Sequence, residues 1–364
     1  RRQRQMCIRD RDSAAPSFAL WNLSRIVKED KQLSALFDRG VDVFFERLDN
    51  LKSANTEKFK NDFYHFIYEY GSRGPNEWEL SAHTWETDTS IPLRTLDQVR
   101  KQPDDKDPSI GAARASDDRE RVVREVRIKL EELGNEELIG VFEGALVGAN
   151  QMVFRERAKT SLVRVLHESR MAIRELGKRH AVVNTLSNPE HIFMLLDEEL
   201  ESFVADPSSY CALLQDRYED WLSLWDLTPP FFLRDGIIPP LTEWERNESE
   251  VEVTVSEGDV LAGTAGCSGV VTGRARIVRD PTSPPDLEPG DIMVAPLTDP
   301  AWTPLFLAVD GVVVNVGGQV SHAVIVSREM GIPCVVSVAN ATEQIQDGTI
   351  IEVDGTKGNV TIFR

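Results

Sequence analysis

Gly311-Val312-Val313-Val314-Asn315-Val316-Gly317-Gly318-Gln319-Val320-Ser321-His322-Ala323-Val324-Ile325-Val326-Ser327-Arg328-Glu329-Met330-Gly331-Ile332-Pro333-Cys334-Val335-Val336 is the stretch on which the reading of the fold turns. The apolar run up to Val316 reads as a buried strand. Gly317 and Gly318 then make a tight turn. Ser321 suits a helix N-cap, and Ala323 to Met330 carry helical pattern. Gly331-Ile332-Pro333 stops that helix, and Cys334 to Val336 begin another strand. His322 therefore falls at a helix N-terminus, where free N–H groups and the positive end of the dipole favour an anion. The same field favours a neutral imidazole, which keeps a ring nitrogen available as nucleophile. A phosphoryl-carrying histidine fits such a place. So does a structural histidine satisfied within a turn, and the stretch alone leaves both open.

The rest of the composition narrows the classes. The chain has 364 residues and is 41% hydrophobic, enough to bury cores in two or three domains. Its 60 acidic against 41 basic residues give a net charge of −19, which argues against nucleic acid or an anionic membrane surface as main partner. No apolar run approaches the roughly 20 residues of a membrane helix, and no signal peptide is visible. Cys7, Cys211, Cys267 and Cys334 are scattered without a C-x-x-C pair, as suits a cytoplasmic protein. His65, His83, His167, His180 and His191 show no spacing of a metal site. The opening Arg1-Arg2-Gln3-Arg4-Gln5 lacks an initiator Met, so a fragment of a longer protein is expected.

Working back towards the N-terminus, residues 1–240 read as all-α. Leu33, Leu36, Phe37, Val41, Phe44, Phe45 and Leu48 lie at helical spacing and predict one or two helices over 17–50. A further helix is expected from Asn55 to a stop at Gly71, with Phe59, Phe63 and Phe66 on its core face. Gly71 to Pro108 reads as a long irregular loop. Helix formers dominate Asp117–Glu132 and Glu136–Lys178, and a helical pair is expected over Pro189–Leu227. The stretch 241–260, with Glu243, Glu245, Glu248, Glu250, Glu252 and Glu257, reads as an acidic linker or hinge, or as a surface loop. From Leu261 the period changes to two, and 261–364 reads as a compact α/β domain.

The motifs of this last domain carry a resemblance. Gly266-Cys267-Ser268-Gly269-Val270-Val271-Thr272-Gly273-Arg274-Ala275, Glu288-Pro289-Gly290-Asp291, Thr298-Asp299-Pro300-Ala301-Trp302-Thr303-Pro304 and the His322 stretch occur in order. Together they resemble the mobile phosphohistidine ("swivelling") domain of phosphoenolpyruvate-utilising enzymes and ATP-dependent dikinases. Val320 stands where many family members have Thr. Only six residues follow Gly358, so no C-terminal barrel domain is expected, and helical domain then histidine domain is similar to the rifampin phosphotransferase family. Tyr70-Gly71-x-Arg73-x-Pro75-x-Glu77 and Arg155-Glu156-x-x-Lys159 are similar to two further segments of that family, with Ala158 in place of an expected proline.

The resemblance implies a division of labour. His322 would carry the phosphoryl group, supported by Ser321, Gly318, Arg328 and Thr303. Glu156 would serve as general base for an acceptor hydroxyl, and Arg155 and Lys159, four apart on one helical face, would hold phosphoryl oxygens. Arg73 and Glu77 would line the acceptor site or form a structural ion pair. Trp302 reads as packing. ATP and Mg2+ are expected on an ATP-grasp domain that this chain lacks, on the same polypeptide or on a separate subunit; none is expected to bind this chain, and no metal ligand set is expected in it. The implied activity is transfer from ATP through His322 to a hydroxyl of a small acceptor such as a rifamycin-type antibiotic, giving AMP, phosphate and a phosphorylated acceptor. The alternatives are a condensing or ligating enzyme with a phosphorylated intermediate, and a non-catalytic binding protein on the same scaffold.

Overall fold

The computed structural model describes residues 15–41, 44–230, 233, 235–246 and 255–363, and leaves out the side chains of residues 115, 150, 152, 153, 155 and 156. Arg1–Gln5, Cys7, Glu248, Glu250 and Glu252 lie outside the described residues. The chain forms two compact units. The first gathers residues up to Glu77, Ala82–Val163 and Val253–Arg364; the second gathers Trp78–Ser81 and Arg164–Glu252.

In the first unit, three helices replace the one or two expected early on: α1 (Ala15–Glu29), α2 (Lys31–Phe37) and α3 (Phe44–Leu48). The break after α1 has a local cause. Asp30 leaves helical geometry and its carboxylate accepts from the N–H groups of Gln32 and Leu33, which starts α2. Helix α4 (Ala54–Tyr70) begins where Ser53 Oγ accepts from the Thr56 N–H at 3.0 Å. Phe59, Phe63 and Phe66 are core residues, stacked in sequence and at most 2% exposed. They close a cluster with Leu20, Val27, Leu33 and Phe44.

The expected loop from Gly71 to Pro108 contains a helix, α5 (Ser90–Arg100). Its Pro92 sits in the first turn, where a missing N–H costs little, so the proline does not break it. Ile91, Leu93, Leu96 and Val99 bury its apolar face. Helix α6 (Pro108–Leu133) follows, capped by Asp107, and then α7 (Glu136–Val182), which runs into the second unit beyond Val163.

Residues 260–363 form an eight-stranded mixed sheet. The strands are β3 (Val260–Ala262), β4 (Thr264–Cys267), β5 (Val270–Ile277), β6 (Ile292–Ala295), β7 (Gly311–Val314), β8 (Cys334–Val336), β9 (Ile350–Asp354) and β10 (Asn359–Phe363), with β1 and β2 in the second unit. Their order is β3-β10-β9-β5-β6-β7-β8-β4, with β5 to β8 parallel. Strands β6, β7 and β8 are buried on both faces, which is why they read as unbroken apolar runs rather than alternating ones. One face packs on a 3-10 helix (Pro300–Ala308) and on α10 (His322–Met330), through Trp302, Leu305, Phe306, Val324 and Val326. Trp302 is thus a packing residue, 5% exposed. The other face buries Val313, Val335, Ile351 and Val353 with Ala341 of the short helix α11 (Ala341–Gln344). Cys267 and Cys334 are free thiols paired across β4 and β8.

In the second unit, the expected pair over 189–227 is more broken. Two 3-10 turns (Pro189–Met194 and Asp197–Glu199) precede α8 (Leu200–Ala205), and a third (Pro207–Tyr210) separates it from α9 (Cys211–Ser223). Phe203, Leu214, Ile192 and Leu186 form its core. Arg170 is fully buried and donates to the carbonyls of Glu79 and Leu80. Residues 241–246 of the acidic stretch are structured, with β2 (Glu245–Arg246) paired antiparallel to β1 (Leu227–Thr228).

Candidate active site

His322 is the first residue of α10, and Gly331 ends that helix at φ +71°, a left-handed conformation suited to glycine. The turn ahead of it closes through the Ser321 N–H on the Gly318 carbonyl at 2.9 Å. The first amides of the helix have no acceptor within it and face outwards from its start. Ser321 occupies the N-cap position as expected, but its hydroxyl makes no capping bond and is a buried oxygen with no hydrogen-bond partner among the described residues. A Cβ on Gly318 would meet nothing within 4 Å, so this residue leaves open space beside the turn. Arg328 does not face the ring. Its Nε donates to the Gly266 carbonyl at 2.9 Å and its Nη2 to Gln319 Oε1 at 2.6 Å, while Gln319 Nε2 donates to the Ala265 carbonyl. Arg328 thus ties the glycine turn to β4.

Two threonines hold the imidazole. Thr298 Oγ1 lies 3.0 Å from Nδ1, and Thr303 Oγ1 lies 3.0 Å from Nε2. Thr303 also donates to the Pro300 carbonyl at 2.8 Å. A hydroxyl has one hydrogen, so all three contacts are met together only if Nε2–H donates to Thr303 and Thr298 donates to Nδ1. Phe306 presents an edge-to-face contact at 6.0 Å between ring centroids. Burial pushes the His322 pKa down to about 3, and the charges of Lys159 and Arg73 push in the same direction. The ring is a neutral base.

Those two cations come from the helical segments. Arg73 and Glu77 are a buried ion pair, with Arg73 Nη1 donating to both carboxylate oxygens at 3.0 and 3.1 Å, and Arg73 Nη2 donating to Thr160 Oγ1 at 2.9 Å. They are 5% and 2% exposed. Lys159 Nζ lies 3.6 Å from Glu77 Oε1 and keeps 28% of its side-chain surface. Asp299 joins them from the sheet domain. It accepts from the Ala301 N–H at 2.8 Å, and burial raises its pKa, with the Glu77 charge adding to the rise. Two acidic and two basic groups thus surround a neutral histidine. Of the residues expected from sequence, the fold brings together His322, Thr303, Lys159, Arg73 and Glu77. The side chains of Arg155 and Glu156 lie outside the described residues. Thr298, Asp299 and Thr160 were not singled out. The signal for the first two was polar side chains just ahead of a segment, Ala301–Ala308, that is apolar apart from Thr303 and buried.

No group of three or more His, Cys, Asp or Glu is placed to hold a metal among the described residues. No helix among them is long and apolar enough to cross a membrane.

Comparison with known proteins places two segments of the chain in described domains. Residues 287–358 match the mobile domain of PEP-utilising enzymes, and residues 6–156 match the rifampicin phosphotransferase fourth domain. An uncharacterized protein of Mycobacterium tuberculosis is 35% identical over 60% of this chain and 24% of its own length. The rifampicin phosphotransferase of Bacillus subtilis is 28% identical over 84% of this chain and 35% of its own length. That of Streptomyces sviceus is 36% identical over 58% of this chain and 23% of its own length. The chain therefore spans about a quarter to a third of the length of these three relatives. With these two matched domains in this order, the chain is similar to rifampicin phosphotransferases and carries a segment that matches the mobile domain of PEP-utilising enzymes.

Proposed function

We propose that this chain is the phosphocarrier and acceptor part of an ATP-dependent phosphotransferase. The single observation that carries the reading is the neutral His322 ring at a helix N-terminus, clamped by Thr298 and Thr303 and faced by Lys159 and Arg73. A lone pair of the neutral ring attacks the β-phosphorus of ATP held on a segment outside this chain, where Mg2+ would also sit; a P–N bond forms as the Pα–O–Pβ bridge breaks and AMP leaves with its electron pair, and water takes the γ-phosphoryl group. One phosphoryl group goes to water and one to the acceptor, leaving AMP. One ring nitrogen must give up its threonine contact to bond phosphorus. In the second step an acceptor hydroxyl attacks phosphorus, the P–N bond breaks and its electron pair returns to the ring. Glu156 takes the hydroxyl proton in this reading. Lys159, Arg73 and Arg155 balance charge on the transferring oxygens, and charge stabilisation with positioning is most of what phosphoryl transfer asks of a protein. The acceptor is a hydroxylated small molecule, for which a rifamycin-type antibiotic is the first candidate because relatives bear that name.

The test uses the full-length protein with ATP and a panel of rifamycins. AMP release that depends on the drug, an acid-labile phosphohistidine, and a stable phosphoester product support the proposal. Full activity in His322→Ala would sink it. An adduct without phosphorus would instead favour a ligating enzyme.

A further inference from the structure

Helix α5 and the turn after it carry four polar side chains at a spacing of four: Arg94, Gln98, Gln102 and Lys106. Arg94 and Gln98 share one face of α5, Gln102 follows in the turn and Lys106 closes the next 3-10 turn (Asp104–Lys106), and each of the four reaches the domain that bears His322. Arg94 Nη1 donates to the Thr282 carbonyl at 3.1 Å. Gln98 Oε1 accepts from the Leu287 N–H at 3.0 Å, and its Nε2 donates to Asp286 Oδ1 at 3.4 Å. Gln102 Nε2 donates to the Ala308 carbonyl at 3.0 Å. Lys106 pairs with Asp310 at 2.7 Å. The two glutamines are 5% and 1% exposed, so their amides are committed to these bonds.

The contact lies inside the first compact unit, and three features distinguish it from that unit's apolar cores. Its hydrogen bonds run largely to main chain, so the row reads backbone position. Its apolar part is small: Trp21, Val99 and Leu307, with Met330 packed against them. A cavity of about 460 Å³ stays open beside Lys106, between α6 (Asp107, Ile110, Arg114) and Val271, Leu307 and Ile332. A polar, incompletely filled contact is what segments that must part and rejoin require.

We propose that Arg94, Gln98, Gln102 and Lys106 form a releasable dock, which holds the His322 domain against the helical segments and sets how readily it leaves. The bonds themselves stand independently of the phosphocarrier reading; the need for release rests on it. Replacing a buried glutamine by leucine keeps the volume but leaves the Leu287 N–H or the Ala308 carbonyl unpaired, which costs stability.

The test is hydrogen exchange by mass spectrometry on this chain, with small-angle scattering alongside. In Gln98→Leu/Gln102→Leu, amides of 282–310 should exchange at least about tenfold faster, in line with that cost. Amides of α4, β9 and β10 should keep wild-type rates, and the radius of gyration should grow. Arg94→Ala/Lys106→Ala, which removes the more exposed ends of the row, should act in the same direction more weakly. Unchanged exchange over 282–310 in both variants would overturn the proposal. So would faster exchange spread evenly over the chain, because the glutamines would then be ordinary core residues. Neither readout needs ATP or an acceptor. A failed activity assay would therefore count against the phosphotransferase reading and leave the dock to be judged by exchange.

Discussion

Thr303 Oγ1 lies 3.0 Å from His322 Nε2 and donates at the same time to the Pro300 carbonyl at 2.8 Å. That double duty settles which partner owns the shared proton. With its hydrogen committed to Pro300, Thr303 can only accept from Nε2–H, and Nδ1 becomes the acceptor for Thr298. Nitrogen-15 spectra of the wild-type chain at neutral pH should show the Nε2–H tautomer of His322. Thr298→Val should shift the ring towards a tautomer mixture. A wild-type ring found as Nδ1–H would show that Thr303 turns away from Pro300.

The depressed pKa of His322 has a definite sign. Its folded value of about 3 lies below the ordinary 6.5, so between these values the unfolded chain binds more protons than the folded one. Stability from this group is complete above pH 6.5 and is lost as pH falls towards 3. His322 should show no protonation in a titration from pH 8 to 5. A midpoint near 6.5 would mean that burial and the cations do not act on the ring.

Arg73 and Lys159 should separate by their effects. Arg73→Met leaves Glu77 as a buried carboxylate without the guanidinium that donates to both its oxygens, a loss of about 3–5 kcal/mol in urea unfolding. Lys159→Met removes a part-exposed cation 3.6 Å from the same carboxylate and should cost under about 1 kcal/mol. In the full-length protein, Lys159→Met should instead slow transfer from phosphohistidine while leaving its formation intact. Equal stability losses in the two variants would contradict the burial difference.

Val320 stands 82% exposed, and both ring nitrogens of His322 already have threonine partners. Val320→Thr should therefore leave stability within about 0.5 kcal/mol and leave the His322 tautomer unchanged. A changed tautomer would place this side chain against the ring.

The strand–turn–helix–strand around His322 was legible because its signals are local. Four apolar residues make β7, two glycines turn the chain, and Gly331 with Pro333 ends α10. The α5 helix was hidden because Pro92 reads as a breaker unless its first-turn position is known. The three-way break of 15–48 was hidden in the same way, since only a capping bond at Asp30 separates α1 from α2.

By itself the sequence determined the strand–turn–helix–strand unit, the α/β character of 261–364 and the place of His322 at a helix start, because periodicity and turn residues act over a few positions. Only the tertiary structure decided what surrounds the ring. Thr298 and Thr303 reach it because β6 and β7 lie side by side and parallel, which brings the segment that follows β6 to the same sheet edge as the turn that follows β7. Arg73, Glu77, Lys159 and Asp299 converge from three separate segments through burial and ion pairing. No spacing records such a meeting, since contacts between distant segments depend on how faces pack rather than on how neighbours alternate.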